Sequence, residues 1–227
     1  MDRYRHEYKY RIDRIEEEIL LMRARGALDR DSHAGKDGTY YVRSLYFDDY
    51  GDSCLLDNED GVDPRCKFRM RYYNDDIGYI RLERKSKRRG MCRKSTCLLT
   101  TEECRKLMRG IIPEVRPDMP EDKQKMFLEM ELRSLIPKVI VSFERAAFVW
   151  PMGEVRITFD RQITSSGDIE QFLAGNYPMR PVLSEGRGIL EIKWDEALPL
   201  YLKNLMQLDS LQWDGCSKYY MCRLCHL

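Results

Sequence analysis

Four segments of this chain alternate, residue by residue, between apolar side chains and a second set made almost wholly of long cations and carboxylates. Phe68, Met70 and Tyr72 oppose Lys67, Arg69 and Arg71, and Ile80 and Leu82 oppose Arg81, Glu83 and Lys85. Val155, Ile157 and Phe159 oppose Arg156, Thr158 and Asp160, and Leu190 and Ile192 oppose Glu191 and Lys193. Successive side chains of a strand point to opposite faces, so each segment reads as a strand with one apolar and one charged face. For a single strand, a solvated outer face is the ordinary explanation. Across the set, the scarcity of Ser, Asn and Gln argues otherwise, and the apolar faces suit cover by helices. With helices outside, the charged faces point inward. Buried cations without compensation are costly, so such a lining needs carboxylates or an anion. Phosphate chains meet that need: Arg forks grip oxygens bidentately, Lys adds point charge and a carboxylate can hold a divalent cation.

The rest of the chain supplies the helices. Asp13 and Glu16 form a capping-box pair opening a helix, with Ile15, Ile19 and Met22 on one face. Thr100 and Glu103 open a second helix that stops at Gly110, and residues 120–135 read as a third with Leu128, Leu132 and Leu135 on its apolar face. Shorter helices are expected near residues 168–173, 198–208 and 217–224. Strands are expected over residues 4–10, 40–48, 66–73, 78–85, 92–98, 138–148, 154–160 and 188–194, with a turn at Pro151-Met152-Gly153. Residues 49–64 read as a polar loop. Hairpin-length links favour an antiparallel sheet or barrel over a doubly wound fold.

In 227 residues, 39 Lys and Arg balance 38 Asp and Glu, so an anion site must be local, and neither nucleic acid nor membrane is drawn by the overall field. The charged N-terminus excludes an ordinary signal peptide, and no segment approaches the roughly 18 apolar residues of a membrane helix. A soluble cytoplasmic protein is expected, with its eight cysteines as free thiols. Cys222 and Cys225 lack a second pair at zinc spacing, and His6, His33 and His226 accompany no nucleophile motif. No Walker-type glycine loop is present, leaving phosphate recognition to side chains.

Eight fragments in order carry a resemblance: Glu7-Tyr8-Lys9-Tyr10, Ser44-Leu45-Tyr46-Phe47-Asp48, Phe68-Arg69-Met70-Arg71-Tyr72, Leu82-Glu83-Arg84-Lys85, Phe143-Glu144-Arg145-Ala146-Ala147-Phe148, Val155-Arg156-Ile157-Thr158-Phe159-Asp160, Leu190-Glu191-Ile192-Lys193 and Ser217-Lys218-Tyr219. Together they resemble the VTC-domain polyphosphate polymerases of the CYTH-like, triphosphate tunnel metalloenzyme superfamily. The resemblance implies one catalytic domain over residues 1–227, of α+β class, built as a closed eight-stranded antiparallel barrel with helices packed outside. It implies catalytic roles for Lys9, Arg69, Arg71 and Lys218, and phosphate binding by Lys85, Lys94, Arg145, Arg156 and Lys193. Glu191, with Glu7, would hold a divalent metal, manganese or magnesium. The implied partners are ATP and polyphosphate, inorganic phosphate or pyrophosphate, and any membrane association would come through a protein on a separate chain. Arg145 shares the parity of Val141 and Phe143, so its inward direction is expected to need a bulge.

The expected reaction is transfer of the ATP γ-phosphoryl group to phosphate or to a growing polyphosphate chain, releasing ADP. Hydrolytic relatives of the same fold begin with Glu-x-Glu-x-Lys, whereas the frame here reads Arg5-His6-Glu7-Tyr8-Lys9. A cation for the first metal carboxylate favours chain holding over water activation. The alternatives are a metal-dependent hydrolase of tripolyphosphate or nucleoside triphosphates, and a noncatalytic binder of polyanions or RNA using the basic run 81–94. That run lacks interleaved aromatics, so nucleic acid is not expected.

Overall fold

The computed structural model describes residues 4–32, 34–35, 37–150, 154–215 and 217–227. Its first half contains β1 (His6–Ile12), α1 (Arg14–Ala27), β2 (Asp29–Arg30), β3 (Thr39–Asp48), α2 (Ser53–Glu59), β4 (Arg65–Tyr73), β5 (Arg81–Arg88) and β6 (Met91–Leu98). There follow α3 (Thr101–Met108), α4 (Glu121–Leu132), β7 (Ile136–Trp150), β8 (Val155–Ser166), β9 (Arg180–Pro181), β10 (Gly188–Trp194), α5 (Leu200–Leu205) and α6 (Lys218–Leu224). Short 3-10 turns occupy Ile169–Gln171 and Leu208–Ser210, where helices were expected to be longer. The expected turn at Pro151-Met152-Gly153 lies outside the described residues. Residues 49–64 are not all loop, because α2 begins after Asp52 without a side-chain cap.

Eight strands form one curled antiparallel sheet in the order β1-β10-β8-β7-β3-β4-β5-β6, with β2 added on β7 and β9 on β8. The closed barrel expected from the resemblance is corrected here. Edge strands β1 and β6 meet at one bridge, where Arg5 and Cys92 exchange both backbone hydrogen bonds at 2.8 Å. Further along, another segment takes the free edge of β1: Tyr10 bridges Trp213, and Asp214 N–H donates to the Lys9 carbonyl at 2.9 Å. A backbone group already bonded to one segment is not available to a second strand, so the β1–β6 ladder stops. The β5–β6 hairpin turns at Arg89-Gly90, both at positive φ (50° and 77°), the geometry that lets a two-residue turn follow strand twist. Asp63 accepts both of their N–H groups at 2.9 Å.

The apolar strand faces are outside and covered. Tyr10, Ile12, Ile157, Phe159, Leu190 and Ile192 pack under Leu20, Leu21 and Ala24 of α1 and Leu202 of α5. Phe68, Met70, Tyr72 and Leu82 pack under Leu107 of α3 and Met126, Phe127 and Met130 of α4. Two expected helix faces are corrected. In α1, Ile15 and Met22 are 70% and 68% exposed, and the buried stripe is Glu17, Leu20, Leu21 and Ala24. In α4, Leu132 is 85% exposed and Leu128 is exposed too, while Leu135 is buried just beyond the helix. Both stripes have helical spacing, so the angle at which each helix meets the sheet chooses between them. Among the described residues no helix is long and apolar enough to cross a membrane. The described cysteines are free.

The α1 capping box forms as expected: Asp13 Oδ1 accepts from Glu16 N–H at 2.9 Å and Glu16 Oε2 from Asp13 N–H at 2.7 Å. Asp13→Ala is expected to lower stability by about 1 kcal/mol in urea unfolding, without altering the sheet.

Candidate functional site

The concave side of the sheet divides in two. One end is apolar, where Val42, Val141, Phe143 and Ile189 pack against Tyr219 and Cys222 of α6. The other encloses a cavity of about 430 Å³. Its walls carry Lys9 from β1, Lys67, Arg69 and Arg71 from β4, Lys85 from β5, Lys94 from β6, Arg145 from β7, Arg156 from β8 and Lys193 from β10. Lys218 enters from α6, and Glu7 and Glu191 line the same space. Every cation and carboxylate that the resemblance assigns to the site therefore lines this one cavity. Arg145 needs no bulge of its own, because Phe143 faces the cavity beside it. The register shift falls between Ser142 and Glu144, opposite Gln162 of β8, which sits at φ 50°.

Two anionic centres that sequence reasoning left off the site organise these cations. Glu83, fully buried, accepts from Arg69 Nε at 2.7 Å and Lys94 Nζ at 3.0 Å, with Arg71 at 3.9 Å. Asp160 takes Arg145 through two bonds of 2.5 and 2.6 Å and Lys218 at 2.6 Å. Both carboxylates were on the charged faces of the strand alternation, which was the signal available for them. Burial would raise the Glu83 carboxyl, but Arg69, Arg71 and Lys94 outweigh it and hold it well below the usual range. Burial likewise opposes ionisation of Asp160, and Arg145 and Lys218 reverse the balance.

Glu7 and Glu191 are the carboxylates of the β1–β10 wall. Glu7 accepts from Lys85 at 2.7 and 2.8 Å and pairs with Lys9 at 2.9 Å, and Glu191 pairs with Lys193 at 2.6 Å. Burial acts to raise Glu7, yet Lys85 and Lys9 bring it down to about 2. Glu191 is held well below the carboxylate range because Lys193, Lys9 and Lys218 overcome its burial. Each also feels the other's charge, as two neighbouring carboxylates must.

Hydrogen bonds fix the arginines. Arg69 donates to Tyr46 Oη at 2.8 Å, Arg71 to Ser44 Oγ at 2.8 Å and Arg156 to Tyr40 Oη at 2.8 Å. Phe143 lies below three cations, with Arg145, Arg71 and Lys218 at 5.1, 5.9 and 5.0 Å from its ring centroid. Arg156 Nε and Thr158 Oγ1 are buried without a hydrogen-bond partner among the described residues. Helix α6 is anchored by Tyr219 Oη donating to Asp48 at 2.5 Å and by Arg223 donating to Asp52 at 2.8 Å, which sets Lys218 at the wall.

Among the described residues no group of three or more His, Cys, Asp or Glu forms a metal cage. Glu7 and Glu191 are both held ionised in one cavity, which suits the oxygen chemistry of a hard divalent cation, and they are the residues that would hold one.

The fold is shared with structures of low sequence identity. A putative adenylyl cyclase from Hippeastrum, reported as having dominant triphosphatase activity, superimposes with a TM-score of 0.57 at 14% identity, covering 99% of this chain and 97% of that one. A putative adenylate cyclase from Bacillus halodurans gives 0.52 at 13% identity over 90% and 88% of the two chains. A match to the Schizosaccharomyces pombe Mediator head module gives 0.51 at 12% identity over 92% and 97%. Comparison with curated proteins gives no match. The sequence matches the VTC domain over residues 4–226, and the chain belongs to that family.

Proposed function

We propose that this chain is a polyphosphate polymerase that transfers the γ-phosphoryl group of ATP to phosphate, pyrophosphate or the end of a polyphosphate chain. The observation that carries the reading is the cavity itself, where guanidinium groups from β4, β7 and β8 line one space together with more cations than carboxylates. A phosphate chain supplies the negative charge that such a wall lacks. Arg69, Arg71, Arg145 and Arg156 would hold nonbridging oxygens, with Lys85, Lys94 and Lys193 along the chain. Lys9 and Lys218 would flank the transferring group. An acceptor phosphate oxygen attacks the γ-phosphorus, a new P–O–P bond forms, the bond to the β-bridging oxygen breaks and ADP leaves. Phosphoryl transfer asks mainly for alignment and charge stabilisation, which fixed arginines provide. Glu191 and Glu7 would hold the divalent cation, manganese or magnesium, which neutralises charge between phosphates when bound.

Arg5 favours this reading over hydrolysis. It lines the cavity where hydrolytic relatives carry a metal carboxylate, and it pairs with Asp195 and Glu154 at 2.8 Å. With ATP and manganese, the purified chain is expected to release ADP in step with polymer visible on a gel. Free phosphate without polymer would establish the hydrolase instead, and no turnover with retained binding would establish a polyanion receptor.

A further inference from the structure

Lys67 differs from its neighbours on the cavity wall. Lys9, Lys85, Lys193 and Lys218 each reach a carboxylate, as do Arg69 and Arg145. Lys67 Nζ instead donates to Asn58 Oδ1 at 2.7 Å and Ser217 Oγ at 2.9 Å, and it lies 5.1 Å from the Tyr219 ring centroid. All three partners are neutral and each is fixed: Asn58 sits on α2, Ser217 caps α6, and Tyr219 is bound to Asp48. An ammonium group has three donors, and the third here has no protein acceptor among the described residues.

The charged and titratable groups facing Lys67 are Lys9 of β1, Arg65 of β4, Lys85 of β5 and Cys54 of α2, with the Tyr219 phenol of α6 beside it. The Cys54 thiol gives no counter-charge, since burial and Asp48 push it up to about 12. Burial of the Lys67 amine, with repulsion from Lys9 and Arg65, brings it down to about 7. Among the described residues Lys67 thus lines a cation-rich cavity without a carboxylate in ion-pair reach.

We propose that Lys67 is a phosphate-binding residue of this cavity which takes a proton from solvent as a phosphate chain enters, Asn58 and Ser217 holding the amine in place until then. The proposal rests on the phosphate-chain reading above. A phosphate oxygen brought beside the amine favours the ammonium form, so binding is coupled to proton uptake. The sign is fixed by the free state. At pH 8 the amine is mostly neutral and uptake is large, whereas at pH 6 it is already charged and uptake fades.

The test is calorimetric titration of tripolyphosphate at pH 8 in two buffers of different ionisation enthalpy, with Lys67→Arg and Lys67→Met beside the wild type. The wild type is expected to take up about one more proton per chain than either variant. Lys67→Arg should keep its affinity, because guanidinium is charged throughout, and Lys67→Met should bind about tenfold more weakly. Equal proton uptake by wild type and Lys67→Arg would overturn the role of Lys67 while leaving the phosphate site standing. Failure of the wild type to bind tripolyphosphate at all would overturn both.

Discussion

Asp160→Ala is expected to destabilise the protein by about 3–5 kcal/mol, because it strips the counter-charge from two buried cations at once. The Asp160 carboxylate is wholly buried, accepts both arms of Arg145 and pairs with Lys218 at 2.6 Å. With it gone, Glu191, at 3.6 Å, is the one carboxylate among the described residues left in ion-pair reach of Arg145. A chain of this size loses about 2–4 °C of melting temperature per kcal/mol, so the midpoint should fall by roughly 10 °C or more. The same cavity gives the effect a second signature. On the proposed phosphate-chain reading tripolyphosphate would bring anionic oxygens to Arg145 and Lys218, so it should raise the midpoint of Asp160→Ala by more degrees than that of the wild type. Urea and thermal unfolding check both parts. A loss below about 1 kcal/mol would mean that solvent in the cavity already compensates these cations.

Arg69→Ala is expected to lower turnover with ATP by about 10²- to 10³-fold, the scale of losing one preorganised charge-stabilising donor. Glu83 holds Nε at 2.7 Å and Nη2 at 2.6 Å, and Tyr46 accepts from Nη1 at 2.8 Å. These bonds set the plane of the guanidinium and leave its other N–H groups for phosphate oxygens. Lysine cannot reproduce that fork, so Arg69→Lys should recover only part of the loss. Steady-state ADP release reads the effect, and it should appear mainly in kcat if Arg69 serves the transition state. An unchanged rate would remove Arg69 from the site.

What the sequence disclosed about this site follows from strand geometry. Alternation at Lys67, Arg69 and Arg71 predicts a shared face because backbone pleating allows only two. The inward direction of that face was an inference from the apolar opposite side, and Phe68, Met70 and Tyr72 do lie under helices. Pairing within the cavity was not legible, since Glu83 reaches Lys94 on the neighbouring strand and Asp160 reaches Lys218 on a distant helix. Helix faces were misread for a related reason: Ile15, Ile19 and Met22 have the same helical spacing as the buried Glu17, Leu20, Leu21 and Ala24. Only the docking of α1 on the sheet distinguishes them. Helix α2 was missed because Asp52 offers no side-chain cap, and with it went Asn58, the partner of Lys67. Closure was overread because one bridge at Arg5 and Cys92 gives way to Trp213 and Asp214 on the edge of β1.

The central claim is that the cavity holds a phosphate chain, and a crystal structure with tripolyphosphate bound tests it most directly. The phosphorus atoms are expected between Arg69 and Arg71 on one wall and Arg145 and Arg156 on the other, within hydrogen-bond distance of both. An ordered chain on the outer surface of the β5–β6 hairpin, with the cavity ion pairs undisturbed, would contradict it.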